Sequence, residues 1–456
     1  MTLEQAGSQE LQRTTQATIR RDVLRLALPA MGEQMLSMMV GIVDTYLVGH
    51  LGAAPLAAVG LANQWVFLAM TLFGSVGTGA TALIARFIGA RDPDQADRAL
   101  QQAMLLGVGL GLLATLLGVT LAGPAVLLLG APADVIVPAT NYLRVASTVF
   151  FFSTLMFIGN ASLRGAGDTR TPLFVMLVVN SLNIVVAWAA INGHLGLPRM
   201  GVVGSALGAV TGRLAGGVLI IAILLRGRAG IQLKLSGLRF HRAMIKRILR
   251  VGLPTGLEQL LMRIGWMLFA RILTTLGTVA YAANQVGVNG WSLSFMPGFG
   301  FALAATTLVG QSLGAQDPEG AQRRGYTAYW MGGLLMGLIG VLFILFPAQI
   351  VGFFTDDPAV IAVGTMPLRM VGFVQPFLAA TMIFAGGLRG AGDTRFPMIV
   401  TGMSIFLLRL PLAYLLAIIL NWGLLGAWAA LALDMSVRGV LNFLRFRGGR
   451  WKTIQV

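Results

Sequence analysis

The sequence predicts an all-α integral membrane protein of 12 transmembrane helices in two parallel six-helix repeats, an N-lobe and a C-lobe. Three observations predict it. Of 456 residues, 56% are hydrophobic and 11% charged, with a mean hydropathy of +0.79, whereas soluble domains carry about a quarter charged residues. Apolar runs of about 20 residues, the length a helix needs to cross the roughly 30 Å hydrocarbon core, recur along the whole chain. Finally, the octapeptide Leu-Arg-Gly-Ala-Gly-Asp-Thr-Arg stands at 163–170 and returns at 388–395.

The elements follow in chain order. Residues 1–25 are a polar tail of mixed charge without the apolar core of a cleavable leader. The N-lobe, 26–225, holds spans near 26–47, 54–85, 99–122, 135–161, 172–192 and 200–225. A linker, 226–250, carries eight basic residues and no acidic one, as suits a cytoplasmic segment lying on anionic headgroups. The C-lobe, 251–445, repeats the plan near 251–275, 279–311, 325–347, 360–387, 397–420 and 424–444, and 446–456 form a second tail. With both termini cytoplasmic, the tails and even-numbered loops hold all but eight of the 33 Lys and Arg. Arg199 falls in an extracytoplasmic loop, and Arg144, Arg213, Arg263, Arg271, Arg369, Arg409 and Arg438 lie within or at the ends of spans. This is the positive-inside pattern of an inner-membrane protein. It accounts for the net charge of +16 without a nucleic-acid partner, for which the sequence offers no stacking platform.

One offset of 225 residues aligns the two halves. It pairs Pro29, Glu33 and Gln34 with Pro254, Glu258 and Gln259, Asp92-Pro93 with Asp317-Pro318, and Arg213 with Arg438. Six spans per repeat is an even number, so both halves enter the membrane in one direction. Parallel repeats of this kind build transporters whose cavity lies between two rocking bundles. Within the octapeptide, Gly-Ala-Gly supplies a tight turn, Asp-Thr is placed to cap the next helix with Pro172 or Pro397 in its first turn, and the flanking arginines, Arg164 and Arg170 or Arg389 and Arg395, are expected to face anionic lipid.

Cysteine is absent, and His50, His194 and His241 are far apart, so no metal centre or cofactor is expected. The sequence contains no Walker A, H-E-x-x-H or G-x-S-x-G pattern; it is not expected to be an enzyme, and energy must come from an ion gradient or a partner. Of 17 acidic residues, only Glu33, Asp44, Glu258 and Asp434 fall in spans, where charge is costly and functional by default. Arg438, four residues beyond Asp434, explains that aspartate as half of a local ion pair. Glu33 and Asp44 are 11 residues apart and return to nearly the same helix face after about 16 Å of rise, along a stripe with Ser37, Val40 and Gly41. Pro29, one turn before Glu33, weakens the helix and marks a hinge. Glu33 and Glu258 admit two readings: proton carriers, or partners at helix ends. Asn180 and Asn183 in span five and Asn284 in span eight add buried polar groups, and Met38 belongs to a flexible apolar lining. Arg263, Arg271 and Arg409 need a partner or an anionic ligand.

From about residue 26 to 445 the chain resembles the multidrug and toxic compound extrusion (MATE) family. The resemblance rests on Pro29, on Val43-Asp44-Thr45 with Val48-Gly49-His50-Leu51-Gly52, on the repeated octapeptide with its proline, and on the six-plus-six plan. It implies lobes arranged as a V and cation-coupled antiport by alternating access, with H+ or Na+ moving inward against amphipathic, often cationic drugs. It also implies a cation site at Asp44 and at a span-five Asn followed four residues later by Asp. Asn183 matches, but Ala187 replaces the Asp. With one carboxylate fewer a dehydrated Na+ has a weaker oxygen cage, so H+ is expected over a Na+ site at Asp44 and Asn183. The expected coupling residues are therefore Asp44, Asn180 and Asn183. Glu33, Gln34, Met38, Glu258, Gln259, Arg263 and Asn284 are candidates for substrate or coupling, with Pro29 as hinge. Expected partners are small amphipathic molecules and membrane lipids, with the monomer functional. The alternatives are a lipid or lipid-linked saccharide flippase using Arg263, Arg271 and Arg409 on an anionic headgroup, and a membrane scaffold or receptor without transport.

Overall fold

The computed structural model describes residues 3–194, 196, 198–235 and 239–454, with side chains from Gln16 onward except that of Ala53. Among these residues the regular structure is helical, joined by turns and loops, with one isolated bridge, Arg228 to Ile231. The first repeat comprises α1 (Leu3–Gly49), α2 (Ala53–Gly89), α3 (Pro93–Thr120), α4 (Ala122–Leu128), α5 (Ala133–Ser147), α6 (Phe150–Gly165), α7 (Arg170–Asn192) and α8 (Val202–Arg226). The second comprises α9 (Arg242–Thr274), α10 (Thr278–Ser292), α11 (Phe295–Gly314), α12 (Pro318–Leu345), α13 (Pro347–Gly352), α14 (Pro358–Gly390), α15 (Arg395–Met403), α16 (Leu410–Tyr414) and α17 (Gly423–Arg447). Two π-helical stretches, Ser404–Arg409 and Leu415–Ile419, flank α16.

Among the described residues, nine helices are long and apolar enough to cross a membrane, and the bent pairs α5–α6 (53°) and α10–α11 (45°) bring the number to 11. The twelfth span is α9. Its 33 residues stand in the register of α1 and carry Glu258, Arg263 and Arg271, which lower its hydropathy.

Packing divides the chain into two compact units, Gly32–Gly256, and Met1–Met31 with Leu257–Val456. The divisions after Met31 and Gly256 are again 225 residues apart, two residues past Pro29 and Pro254. In the first unit α7 and α8 approach closely along Gly204, Gly208, Gly212 and Gly216. A methyl group at Gly204 would lie 2.7 Å from the Ala190 carbonyl carbon, and one at Gly212 would lie 2.6 Å from the Val179 carbonyl oxygen. Small residues at this spacing let membrane helices gain dispersion contact where burial itself offers little drive. The second unit has an aromatic centre, with Trp291 6.3 Å from Trp428 and the Trp428 indole N–H donating to Asn284 at 3.0 Å.

The sequence repeat is also a repeat of turn geometry. Arg91 and Gln316 adopt φ of 57° and 58°; the aspartates after them, Asp92 and Asp317, cap α3 and α12 by accepting from Gln95 N–H (3.1 Å) and Gly320 N–H (2.7 Å). In the octapeptides Gly167 and Gly392 sit at φ of 91° and 88°, a region in which side chains are strained. Asp168 accepts from the Arg170 and Thr171 N–H groups at 3.1 and 3.0 Å, so the aspartate supplies the cap expected of Asp-Thr. The basic linker is tied to α3: buried Asp97 accepts from Gln232 N–H at 2.7 Å and pairs with Lys234 at 2.8 Å. Gln101 and Gln102 donate to the carbonyls of Lys234 and Arg239.

Candidate functional site

The four intramembrane carboxylates define the chemistry, and three of them are held by arginine. Asp434, 0% exposed, accepts from Arg409 Nε at 2.9 Å, from Arg438 at 2.8 Å and from the Ser404 hydroxyl at 2.6 Å. Arg438 is the i,i+4 partner expected on α17, whereas Ser404 and Arg409 come from the π-helical stretch. In an α-helix residues five apart point in different directions; i→i+5 bonding brings them to one side. The π turn thus aims both side chains at a single carboxylate.

Glu258 of α9 takes two bonds from Arg389 at 2.9 and 2.8 Å and one from Thr401 at 3.1 Å. Glu33 of α1 takes one from Arg164 at 2.7 Å. Arg164 and Arg389 are the first arginines of the two octapeptides, so each repeat joins the Glu following its proline to its own signature turn. Both glutamates therefore have ionic partners on α6 or α14, in the arrangement of the pairing reading.

Asp44 differs. Among the described residues it forms no direct ion pair, and its Oδ1 is buried without a hydrogen-bond partner. The Asn183 side chain of α7 hydrogen-bonds to it, the Arg213 guanidinium of α8 lies within electrostatic range, and Tyr142 of α5 shares this neighbourhood. Asn180, one turn before Asn183, donates to the Leu36 carbonyl of α1 at 2.7 Å and ties α7 to α1 ahead of the aspartate in the chain. The side-chain oxygens of Asn180 and Asn183 are likewise buried without a donor. Leaving buried acceptors unsatisfied is costly, so this group of oxygens suits a proton or small cation. No group of three His, Cys, Asp or Glu that could hold a metal occurs among the described residues.

The remaining candidates disperse. Gln34 and Met38 are half-buried on α1, while Gln259 and Arg263 are exposed on α9. Asn284 is committed to Trp428, and Arg409, with 1% exposure, is committed to Asp434. Sequence reasoning assigned no role to Tyr142 and Arg213, and it set the octapeptide arginines Arg164 and Arg389 against anionic lipid, whereas the structure turns these two toward Glu33 and Glu258. The available signal was the register, which already paired Arg164 with Arg389 and Arg213 with Arg438.

The MatE family model matches residues 29–189 and 254–415, beginning in each repeat at the matched prolines Pro29 and Pro254. The chain is 36% identical over 438 residues to a "Probable multidrug resistance protein NorM" of Thermotoga maritima, covering 95% of this chain and 93% of that protein. It is 30% identical over 435 residues to the "Multidrug resistance protein NorM" of Burkholderia vietnamiensis, covering 93% of each. Among solved structures, the outward-facing conformation of a multidrug resistance MATE family transporter of the MOP superfamily matches with a TM-score of 0.88 at 26% identity, over 94% of this chain and 95% of that one.

Proposed function

The chain belongs to the MatE family, a family of multi-pass membrane transporters, and we propose that it is a proton-coupled multidrug antiporter with Asp44 as the residue that takes the proton. The observation that carries this reading is the contrast among the four intramembrane carboxylates: Glu33, Glu258 and Asp434 are neutralised by direct arginine bonds, and Asp44 is not. A carboxylate that already holds a guanidinium has little reason to exchange a proton during a cycle. Asp44 retains a buried oxygen to receive one.

The charge balance favours H+ over Na+. A sodium ion needs several oxygens and preferably more than one carboxylate. Here the position four residues after Asn183 is Ala187, fully buried, and Arg213 already brings a fixed positive charge to the site. A proton needs one oxygen. Protonation removes the charge that Asn183 and Arg213 face, loosening the hold of α7 and α8 on α1, and Pro29 gives α1 a point at which to bend. Binding energy is thereby converted into a change of α1 shape that expels substrate.

The relatives' names point to drugs as cargo, which we extend to amphipathic, often cationic compounds. The polypeptide is read as functional as a monomer, with both termini in the cytoplasm. Of the three arginines that a flippase would use, Arg409 is committed to Asp434 and is not available to an anionic headgroup. The test is reconstituted efflux of a panel of cationic dyes under separately imposed pH and Na+ gradients. Efflux should follow the pH gradient and ignore sodium; a sodium requirement at constant pH overturns the ion assignment.

A further inference from the structure

The unit Gly32–Gly256 carries a cleft, apart from the Asp44 site, lined by Arg170, Thr171, Phe174, Ile223 and Arg228. Arg170 and Phe174 are four residues apart on α7 and so lie one above the other on one face. Phe174 is 57% exposed. Ile223 occupies the last turn of α8, and Arg228 follows just beyond that helix. Two guanidiniums thus stand over an apolar floor, at the end of the helices that the positive-inside pattern assigns to the cytoplasm. That is the order of polarity of a phospholipid, phosphate first and acyl chain below.

Asp168 shapes the charge of this cleft. It accepts from Arg228 Nε at 3.0 Å and from the Thr171 hydroxyl at 2.6 Å. Burial alone would push its carboxyl up, but the Thr171 bonds and the Arg228 guanidinium outweigh burial and hold it below the usual carboxylate range. Asp168 is therefore ionised at neutral pH and fixes the direction of Arg228. The terminal nitrogens of Arg228 and the whole Arg170 guanidinium have no protein partner among the described residues. Two arginines against one aspartate leave one net positive charge, carried by planar donors that match phosphate oxygens. Nearby Lys234 is occupied by Asp97 and Asp94, so the linker's charge is not uniformly available.

We propose that this cleft binds the phosphodiester of one anionic phospholipid, Arg170 and Arg228 holding the phosphate and Phe174 and Ile223 supporting an acyl chain. It is a built site, distinct from the diffuse attraction of a basic linker to a charged surface, and it stands whether the coupling ion is H+ or Na+.

The test uses the full chain in nanodiscs of phosphatidylcholine doped with phosphatidylglycerol, followed by native mass spectrometry of retained lipid. One phosphatidylglycerol should be kept in preference to phosphatidylcholine. Arg170→Gln, which disturbs no protein bond, should weaken retention about tenfold, equivalent to about 1.4 kcal/mol, and Phe174→Ser should weaken it as well. Arg228→Lys keeps a cation beside Asp168 but loses the planar fork, and should reduce selectivity while the protein still folds. Glycerophosphate, a headgroup without chains, should fail to displace the lipid. Equal retention of the zwitterionic lipid, an unchanged Arg170→Gln, or complete displacement by glycerophosphate with Phe174→Ser unaffected would each overturn the proposal.

Discussion

Arg213 and Arg438 occupy the same position in the two repeats and have different surroundings. Around Arg438 the second unit builds a buried cluster in which Arg438, Arg409 and Ser404 all donate to the Asp434 carboxylate, while Arg409 Nη1 and Arg438 Nε are left without a hydrogen-bond partner among the described residues. Around Arg213 the first unit offers Asp44 from a different helix, with Asn183 beside it and a carboxylate oxygen left without a donor. The register explains the difference. The counterpart of Asp434 is Ala209, that of Arg409 is Ile184, and that of Asp44 is Phe269. The scaffold is duplicated and the chemistry is not: one arginine is locked into a buried ion-pair cluster, and the other has near it a carboxylate with which it forms no direct ion pair.

The comparison can be broken at its stronger end first. Asp434→Asn strips the countercharge from two buried guanidiniums, and removing one partner of a buried ion pair costs about 3–5 kcal/mol. Thermal unfolding in detergent should show a large loss of stability, or failure to recover folded protein. Asp44→Asn should leave the melting temperature nearly unchanged, because no direct ion pair is lost. Similar destabilisation by the two substitutions would erase the distinction.

A smaller effect sharpens it within the glutamate pairs. Glu258 is held by Arg389 through two bonds and by Thr401, whereas Glu33 has a single bond to Arg164. Hydrogen bonds to charged groups contribute about 1.5–3 kcal/mol. Glu258→Gln should therefore cost about 3 kcal/mol and Glu33→Gln about 1.5 kcal/mol by denaturant unfolding. The reverse order would mean that the first repeat, not the second, is the rigid one.

The smallest expected effect lies at the octapeptide turn. Asp168 titrates below the ordinary carboxylate value of about 3.9 because its Thr171 and Arg228 bonds outweigh burial. A carboxyl lowered on folding stabilises the protein fully above its unfolded value and loses that contribution as pH falls through the folded one. Melting curves of Asp168→Asn should thus converge with the parent protein at acid pH and diverge toward neutrality. A constant difference across pH would show that the contribution is not ionic.

How much of this could be read from the letters depended on the distance over which each interaction acts. The 225-residue register, the spans and the paired turns are local patterns, and the structure repeats them down to the φ of Arg91 and Gln316. The Asp434–Arg438 pair was legible for the same reason, being one helical turn long. Arg409 was legible only as a cation in need of a partner, since a π-helical stretch that α-helical spacing does not anticipate brings it to Asp434. The arginines that neutralise Glu33 and Glu258 come from 131 residues away, and no periodicity reports a contact of that range. Nor did the sequence mark the bends after Ser147 and Ser292, where neither proline nor glycine occupies the break.

The central claim is that Asp44 alone among the intramembrane carboxylates handles the coupling proton. Its most direct test is dye efflux by Asp44→Asn in proteoliposomes under an imposed pH gradient, with folding verified on the same preparation. The account predicts a folded, dye-binding protein that no longer transports against a gradient. Full gradient-driven efflux by this variant would contradict it.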